Sequence, residues 1–389
     1  MNTEQFPKKE EGKLSIYMLV SENSGVGYYR QFLPAIKLRE HGLANVLISD
    51  FRWGEGNHVE MEPADLFDVF NWADLVVVGR KDVPQFYAQW GGIRDFFNIP
   101  IVLETDDNVH FVEPSNPGYE GYYPGSEAQV WDKYAIGKVF DAVTVTTQEL
   151  KDFYGKYNPH IYILPNSLDI PEWEKHPIER STDGSIRMAF LGSGAHSEGI
   201  NMIKQPVLKI MEKYPRVHFT TMQIFQHLFQ DVSESIRNRI SFLQWIKLED
   251  WPKGVRALGV DIGLAPLADN MFNRCKSNLR WMECGMAKMA PVVSPVKPYL
   301  CVKNGVDGIL AREKNDWFAA IERLITDPVF RGRVQNAAYE RVKKEFSIDK
   351  NVVLWENVYR AVCDKYHEFF GKKKSFIKLG KQKYQERLH

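Results

Sequence analysis

The densest chemistry in this sequence lies between Asp261 and Ser294. There the apolar run Ile262 to Ala265 leads through a polar loop to Asn273, Lys276, Ser277, Arg280 and Glu283, and then to a second apolar run from Pro291. Read as strand, loop, helix and strand, the pattern predicts a helix whose start carries Asn273, Lys276 and Ser277. Lysine and helix dipole would then neutralise a diphosphate together. Glu283 follows Lys276 by seven residues, about two turns at 3.6 residues each, and so is expected on the same side. A carboxylate there can accept hydrogen bonds from ribose hydroxyls.

Two glycine loops offer phosphate chemistry. Phe190-Leu191-Gly192-Ser193-Gly194-Ala195-His196 follows a β-rich run, and glycines between strand and helix let the backbone approach a ligand. Ser193 and His196 can donate to a phosphate there, although a simple strand-to-helix turn would have the same composition. The earlier loop Ser21 to Arg30 repeats the logic with Gly25, Gly27 and Arg30. Asp50, near the end of the second strand, would suit the ribose of a dinucleotide. Against that reading, Arg30 stands where the GxGxxG fingerprint needs a third glycine, and its bulk opposes close helix-to-strand packing. A plain tight turn is the simpler alternative.

A third cluster ends the run Val102-Leu103-Glu104, with Asp106, Asp107 and His110 just beyond. Ligands of open α/β sheets bind outside the carboxyl ends of the strands, where a carboxylate or imidazole can take the proton of an acceptor hydroxyl. The alternative is that the aspartates cap the next turn. An Asp-Asp pair also suits a metal, but the sequence has no second acidic cluster of similar density, so no metal site is expected.

These residues need strands and helices to hold them. β-rich runs at Leu14 to Val20, Asn45 to Ser49, Leu75 to Val78, Ile99 to Glu104, Ala142 to Thr146 and Ile161 to Leu164 alternate with helical stretches. The pattern restarts at Ile186 to Leu191, Val217 to Thr221, Ile240 to Phe242, Ile262 to Ala265 and Pro291 to Val293. Runs apolar on both faces, alternating with helices, predict parallel sheets covered on both sides. The fold class is therefore α/β, with two doubly wound Rossmann-like domains facing a cleft, and 389 residues exceed what one core usually supports. Residues 1–168 form the expected acceptor-side domain and residues 169–349 the nucleotide-sugar domain. The hinge lies in the proline-rich stretch Pro165 to Arg187. Residues from about 350 to 370 form a helix crossing back to complete the first domain, and residues 371–389 form a basic tail.

Composition narrows the function classes. Lysine plus arginine and aspartate plus glutamate number 50 each, so no overall field draws the chain to a polyanion. The tail is the exception: Lys372, Lys373, Lys374, Lys378, Lys381, Lys383 and Arg387 face only Glu386, a local excess of six positive charges. It suits contact with nucleic acid or an anionic membrane surface, or a solvated terminus. Four cysteines without a CxxC pair fit free thiols in a reducing compartment. No signal-like N-terminus and no run of about 18 apolar residues is present, so a cytoplasmic protein, peripheral to a membrane at most, is expected.

The segment 261 to 310, with DIGLAPL, FN..KS..R..E, PVV.S and NGVDGIL, resembles the donor-binding half of family 4 and related GT-B glycosyltransferases. In order with it come the Gly25 to Arg30 loop, Leu164-Pro165-Asn166-Ser167-Leu168-Asp169, which is similar to the family's PNG.D, and the loop at Gly192 to Ser193. The resemblance implies a transferase that uses a nucleotide-sugar, most naturally a UDP-sugar, as co-substrate, requires no cofactor and retains anomeric configuration. Carried over by position, Glu283 matches the family's second glutamate, which holds the donor ribose. Cys275 stands where the family has its first, and Lys276 and Arg280 are the candidates for the positive charge that the family places after its first donor-domain strand.

The acceptor, whether glycan, lipid-linked sugar, protein or modified nucleic acid, is not written in these motifs. A sugar-nucleotide epimerase on the same scaffold, or a nucleotide-sugar-binding protein with a decayed transferase site, are the rival readings.

Overall fold

The computed structural model describes residues 8–20, 24–48, 63–80 and 84–371. Asp50, Ser21 to Asn23 and the basic tail from Lys372 onward lie outside the described residues. The described residues form two compact units. One comprises Met1–Asp107, Pro124–Asn166 and Ile348–His389, and the other Asn108–Tyr123 and Ser167–Ser347.

The first unit carries a six-stranded sheet of β1 (Leu14–Leu19), β2 (Ala44–Ile48), β3 (Leu75–Gly79), β4 (Ile101–Glu104), β5 (Ala142–Val145) and β6 (Ile161–Ile163). Its order is β2-β1-β3-β4-β5-β6 and every pairing is parallel. All residues of β3, β4 and β5 are buried, as expected of largely apolar strands in a sheet covered on both faces. The helix Val353–Phe370 belongs to this unit. It buries Trp355, Tyr359, Val362, Cys363 and Tyr366, a spacing that places them along one helical face. The Tyr366 hydroxyl donates to Asn98 Oδ1 at 3.2 Å.

The second unit repeats the plan with β7 (Ile186–Phe190), β8 (Val217–Met222), β9 (Ile240–Leu243), β10 (Ile262–Ala265), β11 (Ala290–Val293) and β12 (Ile309–Leu310). The order is β12-β11-β10-β7-β8-β9, again all parallel. Read within the unit this is the doubly wound 3-2-1-4-5-6 order, whose direction reverses between β7 and β10. The two-residue β12 is too short to announce itself by pattern. Helix Ser197–Lys213 covers the sheet with Ile200, Ile203, Val207, Ile210 and Met211, all fully buried. Among the described residues no helix is long and apolar enough to cross a membrane.

Candidate functional site

In the second unit the chain leaves β7 at the reversal point and passes through Gly192 to His196 into helix Ser197–Lys213. A side chain at Gly192 would fall 2.6 Å from the Phe190 ring and 3.0 Å from His196 Cβ. At Gly199, in the first turn of the helix, a Cβ would lie 2.6 Å from the carbonyl oxygen of Pro266, in the loop after β10. Glycine therefore lets the helix start sit directly on the neighbouring strand's exit. Gly194 to His196 form one tight helical turn, and Ser197 Oγ donates to the Gly194 carbonyl at 2.6 Å.

Between β10 and β11 the structure corrects the sequence reading. Asn273 and Lys276 do not share one helix with Glu283. A single turn, Met271–Arg274, is capped by Asn270, whose Oδ1 accepts from the Asn273 amide at 2.9 Å. A new helix begins at Leu279, with Asn278 as its N-cap. Lys276 and Ser277 lie in the link, so no helical period relates Lys276 to Glu283. Asn270 caps the first turn through its side chain, whereas Asn278 makes no side-chain capping bond and its Nδ2 instead donates to Cys301 Sγ at 3.5 Å. The Lys276 ammonium stands over the Phe272 ring, 4.3 Å from its centre. Asn273 Nδ2 donates to the Ala268 carbonyl at 3.0 Å.

Glu283 is held from two sides. The indole N–H of Trp251 donates to its Oε1 at 2.9 Å and Arg280 Nη1 donates to its Oε2 at 2.7 Å. The Arg280 guanidinium in turn lies 5.5 Å from the centre of the Trp251 ring. Glu283 and Trp251 are both buried. With Leu191, Gly263 and Cys284 they line a small cavity. Burial, reinforced by the Glu283 charge, pushes the Cys284 thiol up to about 12, so this cysteine stays protonated and is no nucleophile at neutral pH.

The expected acceptor trio spans the division between the two units. Asp106 and Asp107 follow β4 in the first unit, where the Asp107 carbonyl accepts from Arg80 Nη1 at 2.9 Å and from the Tyr154 hydroxyl at 3.2 Å. His110 falls in the segment Asn108–Tyr123, which clusters with the second unit. Asn108 caps the turn Val109–Phe111, and that turn packs against Met271–Arg274. Asn108 Nδ2 donates to Cys275 Sγ at 3.7 Å. Nearby, burial and then the charge of Glu113 raise the Glu198 carboxyl above its ordinary range, while Asn270 Nδ2 donates to it at 3.1 Å. Glu198 and Trp251 went unread in the sequence. Trp251 lies 32 residues from Glu283, and no periodic pattern links them.

The glycine loop of the first unit is also corrected. Ser24 caps the turn Gly25–Gly27, and the chain continues through a π-helical turn, Tyr28–Phe32. A Cβ at Gly25 would meet nothing within 4 Å, so packing does not demand glycine there. Arg30 is fully buried. Its Nε donates to Glu104 Oε1 at 2.8 Å, and its Nη1 to the Leu164 carbonyl at 2.6 Å and to Asn166 Oδ1 at 3.0 Å. Thr144 holds the other Glu104 oxygen, and the guanidinium stands 6.0 Å from the Trp355 ring centre. A buried guanidinium needs a partner, and the carboxylate at the end of β4 supplies it. The pair ties the helix after β1 to β4.

Among the described residues no group of three or more His, Cys, Asp or Glu could hold a metal ion. No protein-family profile and no curated protein sequence matches the chain. Solved structures do. Sucrose-phosphate synthase from Thermosynechococcus elongatus superposes with a TM-score of 0.63 at 14% identity, covering 91% of this chain and 100% of the other. Anabaena HepE in complex with UDP-glucose gives 0.60 at 12% identity, covering 92% and 100%. The catalytic domain of starch synthase IV from Arabidopsis thaliana, bound to ADP and acarbose, gives 0.60 at 10%, covering 91% and 100%. The chain therefore has the GT-B fold of these proteins over nearly its whole length.

Proposed function

We propose that the protein is a glycosyltransferase that binds a nucleotide-sugar, most naturally a UDP-sugar, in its second unit and transfers the sugar with retention to a hydroxyl of an acceptor bound by the first. The observation that carries this reading is the reversal point between β7 and β10. There the Gly192 to Gly194 loop opens a 17-residue helix whose start packs against the exit of β10 through Gly199. Crevices at such points in parallel sheets take ligands, and a helix start favours a diphosphate. Glu283 beside Arg280 supplies an acceptor for ribose hydroxyls within the same unit. Structural neighbours crystallised with UDP-glucose and with ADP support a nucleoside diphosphate as the ligand.

The hard step is departure of the nucleoside diphosphate from the anomeric carbon. Backbone amides of the glycine loop and the cations Lys276 and Arg280 stabilise the charge that develops on the phosphates. Asp106 and Asp107, at the carboxyl end of β4, orient or deprotonate the acceptor hydroxyl. No cofactor enters this scheme. Cys275 is buried and offers no carboxylate to the sugar, so sugar recognition falls to other groups.

Turnover tests the reading. The protein is incubated with UDP-glucose, UDP-N-acetylglucosamine or ADP-glucose, and nucleotide release is followed with and without candidate glycan acceptors. The double variant Asp106→Asn, Asp107→Asn keeps size and turn-forming ability while losing both charges. It should bind nucleotide normally and turn over about 10² to 10⁴ times more slowly. Binding without any release or transfer would make the chain a nucleotide-sugar-binding protein instead, and release of an epimerised nucleotide-sugar would make it an epimerase.

A further inference from the structure

We infer that the end of helix Val353–Phe370, together with the basic stretch that follows it, is a docking surface for an anionic lipid membrane. The inference is independent of the nucleotide site. Phe369 and Phe370 are 73% and 63% exposed, whereas the apolar residues earlier on the same helix, among them Trp355, Val362 and Tyr366, are buried. The two rings do not stand singly. With Tyr162, Val362 and Tyr366 they line one small pocket of the first unit, and the ring centres of Tyr366 and Phe370 are 4.7 Å apart. Lys365 lines the same pocket, its ammonium 3.1 Å from His160 Nδ1. Of the lining residues only Asp141 is acidic, and its side chain is largely covered. A contiguous apolar patch edged by polar groups marks an interaction surface, whereas scattered exposed side chains do not.

The patch is held in place. Gly371, at φ 74°, ends the helix. Asn98 Nδ2 donates to the carbonyls of Phe370 at 3.5 Å and Gly371 at 3.3 Å, and Asn98 Oδ1 accepts from the Tyr366 hydroxyl at 3.2 Å. These bonds fix the end of the helix, and so the point where the basic stretch begins, to one spot on the first unit. Residues 372–389 then carry six lysines and one arginine against one glutamate, in a chain with no net charge overall. Phe376, Ile377 and Leu379 are interspersed among the lysines. Charge complementarity selects the partner. Clusters of about four to eight basic residues are drawn to an anionic bilayer surface, and stable attachment needs a second, apolar contribution, which the phenylalanines supply. Composition also separates lipid from nucleic acid. Base recognition favours the planar guanidinium of arginine, whereas the lysine that predominates here is a compact charge suited to scattered headgroups. Ile377 and Leu379 have no ring to stack on a base.

The test is sedimentation of the full chain with vesicles of phosphatidylcholine alone, and of phosphatidylcholine and phosphatidylserine in equal parts. The chain should partition at least about tenfold more strongly onto the anionic vesicles, and added salt should weaken that binding. Each basic residue near the surface adds about fivefold, so the triple variant Lys372→Gln, Lys373→Gln, Lys374→Gln should bind roughly a hundredfold more weakly. Phe369→Ala combined with Phe370→Ala leaves the charge unchanged and should lower binding by about tenfold. If that pair does not melt cooperatively, Phe369→Ala decides alone, by a loss of at least about threefold or none, because Phe370 and not Phe369 stacks near Tyr366. Equal partition onto both kinds of vesicle, binding to neither, or wild-type partition in the deciding phenylalanine variant overturns the inference. So does tighter binding to a single-stranded RNA oligonucleotide than to the anionic vesicles at the same salt.

Discussion

Replacing Gly199 with alanine sets two physical effects against each other. Gly199 lies in the first turn of Ser197–Lys213, and in an exposed helix Gly→Ala would stabilise by roughly 1 kcal/mol through backbone entropy. Here the new methyl would meet the Pro266 carbonyl oxygen at 2.6 Å, its carbon at 3.3 Å and Pro266 Cγ at 3.3 Å. The first obstacle is backbone, which cannot rotate away, so the helix start must move off the exit of β10 by several tenths of an ångström. Overpacking of this kind costs about 1 to 3 kcal/mol. A contact of 2.6 Å with backbone belongs in the upper part of that range, about 2 to 3 kcal/mol, so after the gain of roughly 1 kcal/mol we expect net destabilisation of about 1 to 2 kcal/mol. By calorimetry that corresponds to a fall of roughly 2 to 8 °C in the melting transition of the second unit. UDP affinity should fall at the same time, by about tenfold, because the amides of the helix start are displaced from the phosphates. A variant that melts higher than wild type and binds UDP as tightly would refute both the close packing and the site built on it.

Two further perturbations address the first unit. Arg30→Met leaves Glu104 buried without its cationic partner and should cost about 3 to 5 kcal/mol in denaturant unfolding, with part of the loss recovered when Glu104→Gln is added. Asp141 is pushed up to about 6, chiefly by burial, although the Ile101 amide and Arg94 act to lower it. Because the folded state holds this proton more tightly than the unfolded chain, stability from this group is greatest below about pH 4 and declines as pH rises through about 6. Asp141→Asn, whose amide oxygen still accepts from Ile101, should therefore gain about 1 to 3 kcal/mol at pH 7.5 and little at pH 4, as read from denaturation at the two pH values.

Much of the architecture is legible in the sequence because its cause is local. Runs such as Leu75 to Val78 and Pro291 to Val293 are apolar on both faces, which only a sheet covered twice accommodates. The glycine loop after β7 is legible for the same reason, since strand, glycines and helix follow one another directly. Pairings across long separations are not. Arg30 and Glu104 stand 74 residues apart, and both occur in segments whose glycines and acids suggested ligands. The break before Glu283 carried only one readable signal, the cap residue Asn270, while the seven-residue spacing from Lys276 invites a continuous helix. Trp251 carries no motif at all, and only the fold brings its indole to Glu283.

The central claim is that the second unit binds a nucleoside diphosphate. Titration calorimetry of the full chain with UDP and ADP, alongside Lys276→Ala and Glu283→Gln, tests it most directly. The account predicts saturable binding of at least one nucleotide at one site per chain, weakened about tenfold or more in each variant. Absence of binding at millimolar nucleotide, or wild-type affinity in both variants, would contradict it.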